Sequence, residues 1–200
     1  MRLSLVDHPD HEPLSLNEVK THLKVETSVP DDDGLITSLI TAARGHAERI
    51  TGRALMTQTW RLKLDQFPRW RGPIEIPLPP LQSVTSVTYR DANDAPQTWT
   101  ASNYVVDAPA GPYATDGRVY PAFQIEYPET VDRQDAVTVE FVAGYGTDDD
   151  VPIQLKQGLL LMIGHWYEHR ESVSEVALSD IPQGAAFLLE PFQRWAAVTR

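Results

Sequence analysis

Apolar residues recur at helical spacing over residues 151–171, VPIQLKQGLLLMIGHWYEHRE. Leu155, Leu159, Met162, Ile163 and Trp166 fall at i, i+4, i+7, i+8 and i+11, which is one face of a helix. Leu160 and Tyr167 flank that face, and Leu161 lies nearly opposite it. So many apolar sides predict a helix buried on more than one side. Asp148, Asp149 and Asp150 suit the positive end of its dipole, and Pro152 sits where a first turn tolerates a missing N–H. Gly158, His165 and His169 share a separate narrow stripe, and Gly158 is expected to let a second element approach closely. Leu155, Gly158, Leu159, Met162 and Trp166 are therefore the expected packing residues of this helix.

Two further helices are predicted upstream. Ser15 and Glu18 form a capping box, and Leu16, Val19 and Leu23 share a face over about residues 16–24. Leu35, Ile36, Leu39, Ile40, Ala43, Ala47 and Ile50 make a wide stripe over residues 32–51. Asp31, Asp32 and Asp33 precede that stripe, and Gly52 is a natural stop. His46 lies beside the stripe and reads as a packed side chain rather than a ligand.

Between these helices the period changes from helical to two. Trp60, Leu62 and Leu64 alternate with Thr59, Arg61 and Lys63, which predicts a half-buried strand over 57–64. Val137, Val139 and Phe141 alternate with Thr138 and Glu140 in another. Ten of the 16 prolines lie from Pro68 to Pro128 and exclude long helices there. Short strands are expected at 74–76, 84–90, 97–100, 104–107 and 123–127, with a hairpin turn at 91–96. Residues 108–117 read as a protruding Gly/Pro loop.

The fold class that follows is α+β: a small helical core of three main helices, with a β-rich subdomain inserted between the second and third. The expected parts are an N-terminal arm and helices (1–54), the inserted β-rich part (55–146), the helix completing the core (147–171) and a C-terminal tail (172–200). Residues 1–13 read as an extended arm. The tail concentrates Phe187, Leu188, Leu189, Phe192 and Trp195 around Pro191. Either these fold back on the core or they dock on another protein.

Composition narrows the functions. At 42% hydrophobic, 200 residues can bury a core. No apolar run approaches the ~18 residues of a membrane span. MRLSLVDHPDHEP lacks the apolar region of a signal peptide. With no Cys, disulfides and thiolate metal sites are excluded. A net charge of −11 argues against tight binding to a phosphate backbone, although it suits a surface past which DNA slides. The same charge also simply maintains solubility.

Four patterns bear on chemistry. His165, Glu168 and His169 spell H-x-x-E-H, the ligand pattern of one zinc-hydrolase class, but a catalytic zinc needs a third protein ligand. Only Glu171, Glu175, Asp180 and Glu190 follow, none on a convincing helix. The Asp31–Asp33 and Asp148–Asp150 runs lack the spacing of a calcium loop. Gly144-Tyr145-Gly146 is too short to cradle phosphate. Arg69-Trp70-Arg71 has the character of a base- or sugar-stacking loop, which keeps a carbohydrate-binding β-module as an alternative; an oligomer contact is its commoner use. No cofactor and no catalytic or metal residue is assigned.

VPIQLKQGLLLMIGHWYEHRESV, preceded by VTVEFVAGYG, together with IPLPPLQSVTSVTY, resembles the long form of the tailed-phage head–tail connector (adaptor) proteins. Gene transfer agents, phage-like particles made by bacteria, use similar components. The resemblance implies a non-enzymatic structural protein that forms a homo-oligomeric ring, twelve-fold, beneath the portal protein. Such a ring extends the channel for double-stranded DNA, without sequence-specific binding, and meets the next head–tail joining (stopper) or tail protein. It places the chain in a virion or phage-like particle assembled in the bacterial cytoplasm, with no membrane contact. It also implies that the C-terminal segment, through Phe187, Leu188, Leu189, Phe192 and Trp195, reaches the portal.

Overall fold

The computed structural model describes residues 1–169 and 181–194. Expectations for Glu171, Glu175, Asp180 and Trp195, and for a loop at 172–180, concern residues outside these. The chain divides into two units, one of residues 1–10 and 57–145, the other of residues 11–56 and 146–200. The α+β class expected from the sequence is the one observed: a first strand, two helices, a run of strands, then the remaining helices.

The β unit holds two antiparallel sheets. Strands β1 (Arg2–Asp7), β2 (Gln58–Leu64), β8 (Val137–Ala143), β4 (Leu81–Arg90) and β5 (Pro96–Thr98) form a five-stranded sheet in that order. A three-stranded sheet runs β3 (Ile74–Ile76), β7 (Gly117–Pro121), β6 (Tyr104–Asp107). The alternation read in β2 and β8 sets their pairing: Leu62 lies opposite Val139 and Lys63 opposite Thr138. Leu62, Val87, Val137, Val139 and Phe141 are buried on one side. The hairpin expected at 91–96 joins β4 to β5, with Thr88 opposite Thr98. An aromatic cluster links the sheets: Phe67 stacks on Tyr127 at 4.8 Å, and Trp99 contacts both Tyr104 and Tyr127 at 5.2 Å.

Two readings of this unit are corrected. The first residues are not an arm: Arg2–Asp7 pair with β2 at the edge of the larger sheet, and Arg2 forms an ion pair with Asp135. Three carboxylates and two prolines in the first thirteen residues had hidden a strand whose inner neighbours come from residues 59–63. The strand expected at 123–127 is a turn, with Gln124 at φ 62°. The strand lies earlier, at Gly117–Pro121, where a glycine and a proline masked it. Gly117 is required there, because a Cβ on it would lie 2.3 Å from Cδ2 of Leu81.

The helical unit contains α1 (Leu16–Leu23), α2 (Asp33–Thr51), α3 (Ile153–Glu168) and α4 (Gln183–Leu189), followed by a 3-10 turn at Glu190–Phe192. The Ser15 cap is present: the Glu18 N–H donates to Ser15 Oγ at 3.2 Å, and the Ser15 N–H donates to Glu18 Oε2 at 2.7 Å. Gly52 ends α2 at φ 67°. Leu155, Leu159, Met162, Ile163 and Trp166 of α3 are all buried, with Leu160 beside them. Against them pack Ile36, Ile40, Ala43 and Ala47 of α2, Val19 of α1, and Ala185 and Leu189 of α4.

Candidate assembly surfaces

The helical unit binds its own C-terminal segment. A Cβ placed on Gly158 would lie 3.2 Å from Cδ2 of Leu189 and 3.7 Å from the Ala185 carbonyl oxygen, so the missing side chain is what lets α4 lie on α3. Gly158, Leu155, Leu159, Met162 and Trp166 are all buried. Beyond α4, the Arg53 guanidinium donates to the Phe192 carbonyl at 2.6 Å, and the Arg194 N–H donates to Thr51 O at 2.7 Å. Leu189 and Phe192 are fully buried, Leu188 is half-buried and Phe187 is 73% exposed. Of the two alternatives the sequence leaves open for the tail, Leu189 and Phe192 follow the first and fold back on the core, while Phe187 stays exposed. The reason is cooperative, since Gly158 opens a seat that only a segment thirty residues away fills.

Acidic residues at the helix starts also tie the structure around them: Asp32 stands at the N-cap of α2 and Asp33 lies in its first turn, as the sequence places them. Lys20 is 1% exposed; it ion-pairs with Asp33 and donates to the carbonyls of Thr27 at 3.3 Å and Val29 at 2.7 Å. Asp32 accepts from the Tyr167 hydroxyl. Asp148–Asp150 form a 3-10 turn in which Asp150 accepts from the N–H and hydroxyl of Thr147 at 2.9 and 2.7 Å. Those bonds hold the Asp150 carboxyl below its usual pKa. Burial acts to raise the Glu18 pKa, but bonds from Ser15 and the charge of Lys156 outweigh it, so the net shift is downward.

His165 and His169 lie one turn apart, ring centres at 4.5 Å, and His169 Nδ1 meets the His165 carbonyl at 2.8 Å. Glu168 is exposed. Among the described residues no group of three or more His, Cys, Asp or Glu is arranged to hold a metal ion, and no helix is long and apolar enough to cross a membrane. His46 packs edge-on against Trp166, centres at 6.0 Å, as its place beside the apolar stripe implied.

The β unit presents two outer features that sequence reading found only in part. On its polar sheet face Lys63, Arg90 and Arg133 border a groove of about 440 Å³ with Thr88, Thr98 and Thr138. At the loops, Trp70 and Phe123 project into solvent, and burial pushes the supporting Tyr127 phenol up to about 12. Arg69-Trp70-Arg71 was visible in sequence; its pairing with the 121–127 turn was not, because the link is a tertiary hydrogen bond from Arg71 to the Ala122 carbonyl.

Buried seams, edge strands and outward aromatics, rather than a cluster of reactive groups, are what the described surface offers. Edge strands and outward aromatics are features by which one chain can contact another. Residues 13–108, just under half of the chain, match the family described as phage gp6-like head–tail connector protein. The match takes in IPLPPLQSVTSVTY (residues 76–89) and ends before β8 and α3, which carry the other stretches of the resemblance. The fold likeness covers those elements. One solved chain, from the virion of a native gene transfer agent particle, superposes with a TM-score of 0.79 at 22% identity, over 100% of this chain and 99% of that one. Chains from the neck of the empty particle, computed with C6 symmetry, and of the native particle, computed with C12 symmetry, give 0.80 and 0.74 at the same identity and coverage. No curated protein matches the sequence.

Proposed function

We propose that this connector closes as a homo-oligomeric ring at the head–tail interface of a phage or gene transfer agent particle. The observation that carries the reading is the family match over residues 13–108. The fold shared over the full length with neck chains supports it. Twelve copies is the ring number we favour, the symmetry applied to one similar neck. The ring sits below the portal protein, extends the channel for double-stranded DNA and presents a platform to the next joining or tail protein. Its net charge of −11 suits a wall that repels the duplex and lets it slide without sequence-specific contact. Ring closure is geometric: a patch on each copy meets a different patch on the next. The C-terminal segment contacts the portal, with Phe187 as its exposed anchor.

Particles made without this chain are expected to stop at heads that carry no tail. Purified particles with the chain labelled should show one ring of label at the neck in negative stain. Tailed particles in normal yield without the chain, or label spread over the capsid, would overturn the reading.

A further inference from the structure

Trp70 and Phe123 are the most exposed large apolar side chains among the described residues, at 97% and 87%. They stand on adjacent loops of the β unit that are held in place. Arg71 Nη2 donates to the Ala122 carbonyl at 2.8 Å, and Arg71 Nη1 lies 3.5 Å from Glu126. Tyr127, stacked on Phe67, donates its hydroxyl hydrogen to the Gly72 carbonyl at 2.8 Å. The residues beside each aromatic are thereby tied to the other loop. Trp70 at φ 59°, Arg71 at φ 57° and Gln124 at φ 62° all occupy the left-handed region without being glycine. Such conformations persist only where surrounding bonds enforce them, and they gather at working surfaces. Arg69, beside Trp70, makes no ion pair among the described residues. The result is a fixed aromatic tip with a free cation, on a chain whose net charge is −11.

That charge difference selects the occupant. Nucleic acid would need a cluster of unpaired cations, and Arg71 is already engaged. A second copy of this chain supplies both an anionic surface and an apolar seat. Ile153 at the start of α3 is 61% exposed, and Val151 and Pro152 separate it from Asp148, Asp149 and Asp150. We propose that Trp70, Phe123 and Arg69 contact a second copy of this chain at Asp148–Ile153, the aromatics covering Ile153 and Arg69 facing the carboxylates. Two unlike patches on one chain make a heterologous contact, the kind that closes a ring. The inference rests on the connector reading and names the contact that reading requires.

The test is made in assembled particles, with p-benzoylphenylalanine replacing Trp70 and irradiation before denaturation. The expected product has twice the chain mass, with the cross-link mapped to residues 146–157 of the second copy. Arg69→Glu should lower incorporation about tenfold, and the exposed partner change Asp149→Arg, combined with it, should restore much of that loss. A cross-link to a different particle protein, no cross-link, or Arg69→Glu particles with full incorporation would overturn the self-contact while leaving the connector reading intact. Particles from which the unaltered chain is absent overturn the connector reading itself.

Discussion

Leu189 of α4 rests on Gly158 of α3 so closely that a Cβ on the glycine would lie 3.2 Å from the leucine Cδ2. A glycine inside a helix costs about 1 kcal/mol relative to alanine. Here the seam it opens buries Leu189 and Ala185 completely. Gly158→Leu has no room to enter without displacing α4. It is expected to cost about 2–3 kcal/mol, as overpacking of a closed core does, which corresponds to a fall of roughly 4–12 °C in Tm. An unchanged melting curve for Gly158→Leu would show that α4 does not depend on this contact.

The C-terminal segment follows the same seam. Truncation after Asp180 removes Leu189 and Phe192, both 0% exposed, together with the Phe192 carbonyl that receives the Arg53 hydrogen bond. The truncated chain should therefore melt many degrees lower instead of remaining fully folded. Phe192→Ala alone is expected to cost about 3–5 kcal/mol. Phe187→Ala, at a side chain 73% exposed, should leave the melting temperature within a degree or two and lower incorporation into particles. Equal melting shifts for the two alanine variants would contradict this division of the tail.

Lys20 is a buried cation with every donor direction spoken for by Asp33, Thr27 O and Val29 O. It fastens the connection between α1 and α2. Lys20→Met keeps the length of the side chain but strands the Asp33 carboxylate and two carbonyls. Asp33 is one-third exposed, so solvent recovers part of the loss, and a cost of about 2 kcal/mol is expected. Lys20→Met combined with Asp33→Asn should recover some of that in a denaturant titration. If the double variant is as unstable as the sum of the two singles, the pair is not coupled.

How far the fold could be read in advance depended on how local its causes are. The Ser15–Glu18 cap, the Gly52 stop and the alternation in β8 are each settled within a few residues, and the structure has them where the sequence places them. Strand β1 could not be seen, because the partners of Leu3 and Leu5 are Leu62 and Trp60, far along the chain, and the register breaks after Leu5. β7 was hidden because Gly117 serves Leu81 rather than its own strand. The same distinction divides the assembly surfaces. Gly158 announced a close approach, but not that Leu189 would make it. Arg69-Trp70-Arg71 announced an unusual loop, but its partner turn is chosen by one hydrogen bond between residues 71 and 122.

His46 provides the last test, because its environment gives stability a predictable pH dependence. Burial lowers its pKa below the usual 6.5, and the nearby Arg49 charge lowers it further. Arg49 Nη2 stands 3.2 Å from Nδ1, so that nitrogen accepts and the ring proton resides on Nε2. Nε2 is buried without a hydrogen-bond partner, near the edge of Trp166. The folded state therefore resists protonation, while the unfolded chain takes up a proton at about 6.5. The sign follows: above that pH the two states bind equal numbers of protons at this position, and the His46 contribution is fully present. As pH falls below 6.5 toward the lower folded pKa, the unfolded state binds more protons, and stability is lost. His46→Gln removes the titration while keeping a side chain of similar reach. The difference in unfolding free energy between the natural chain and His46→Gln should be constant above pH 7 and shift against the natural chain on acidification. Urea titrations at several pH values on both proteins give that difference directly; parallel profiles down to pH 5 would mean that His46 protonates as readily in the folded chain as in the unfolded one.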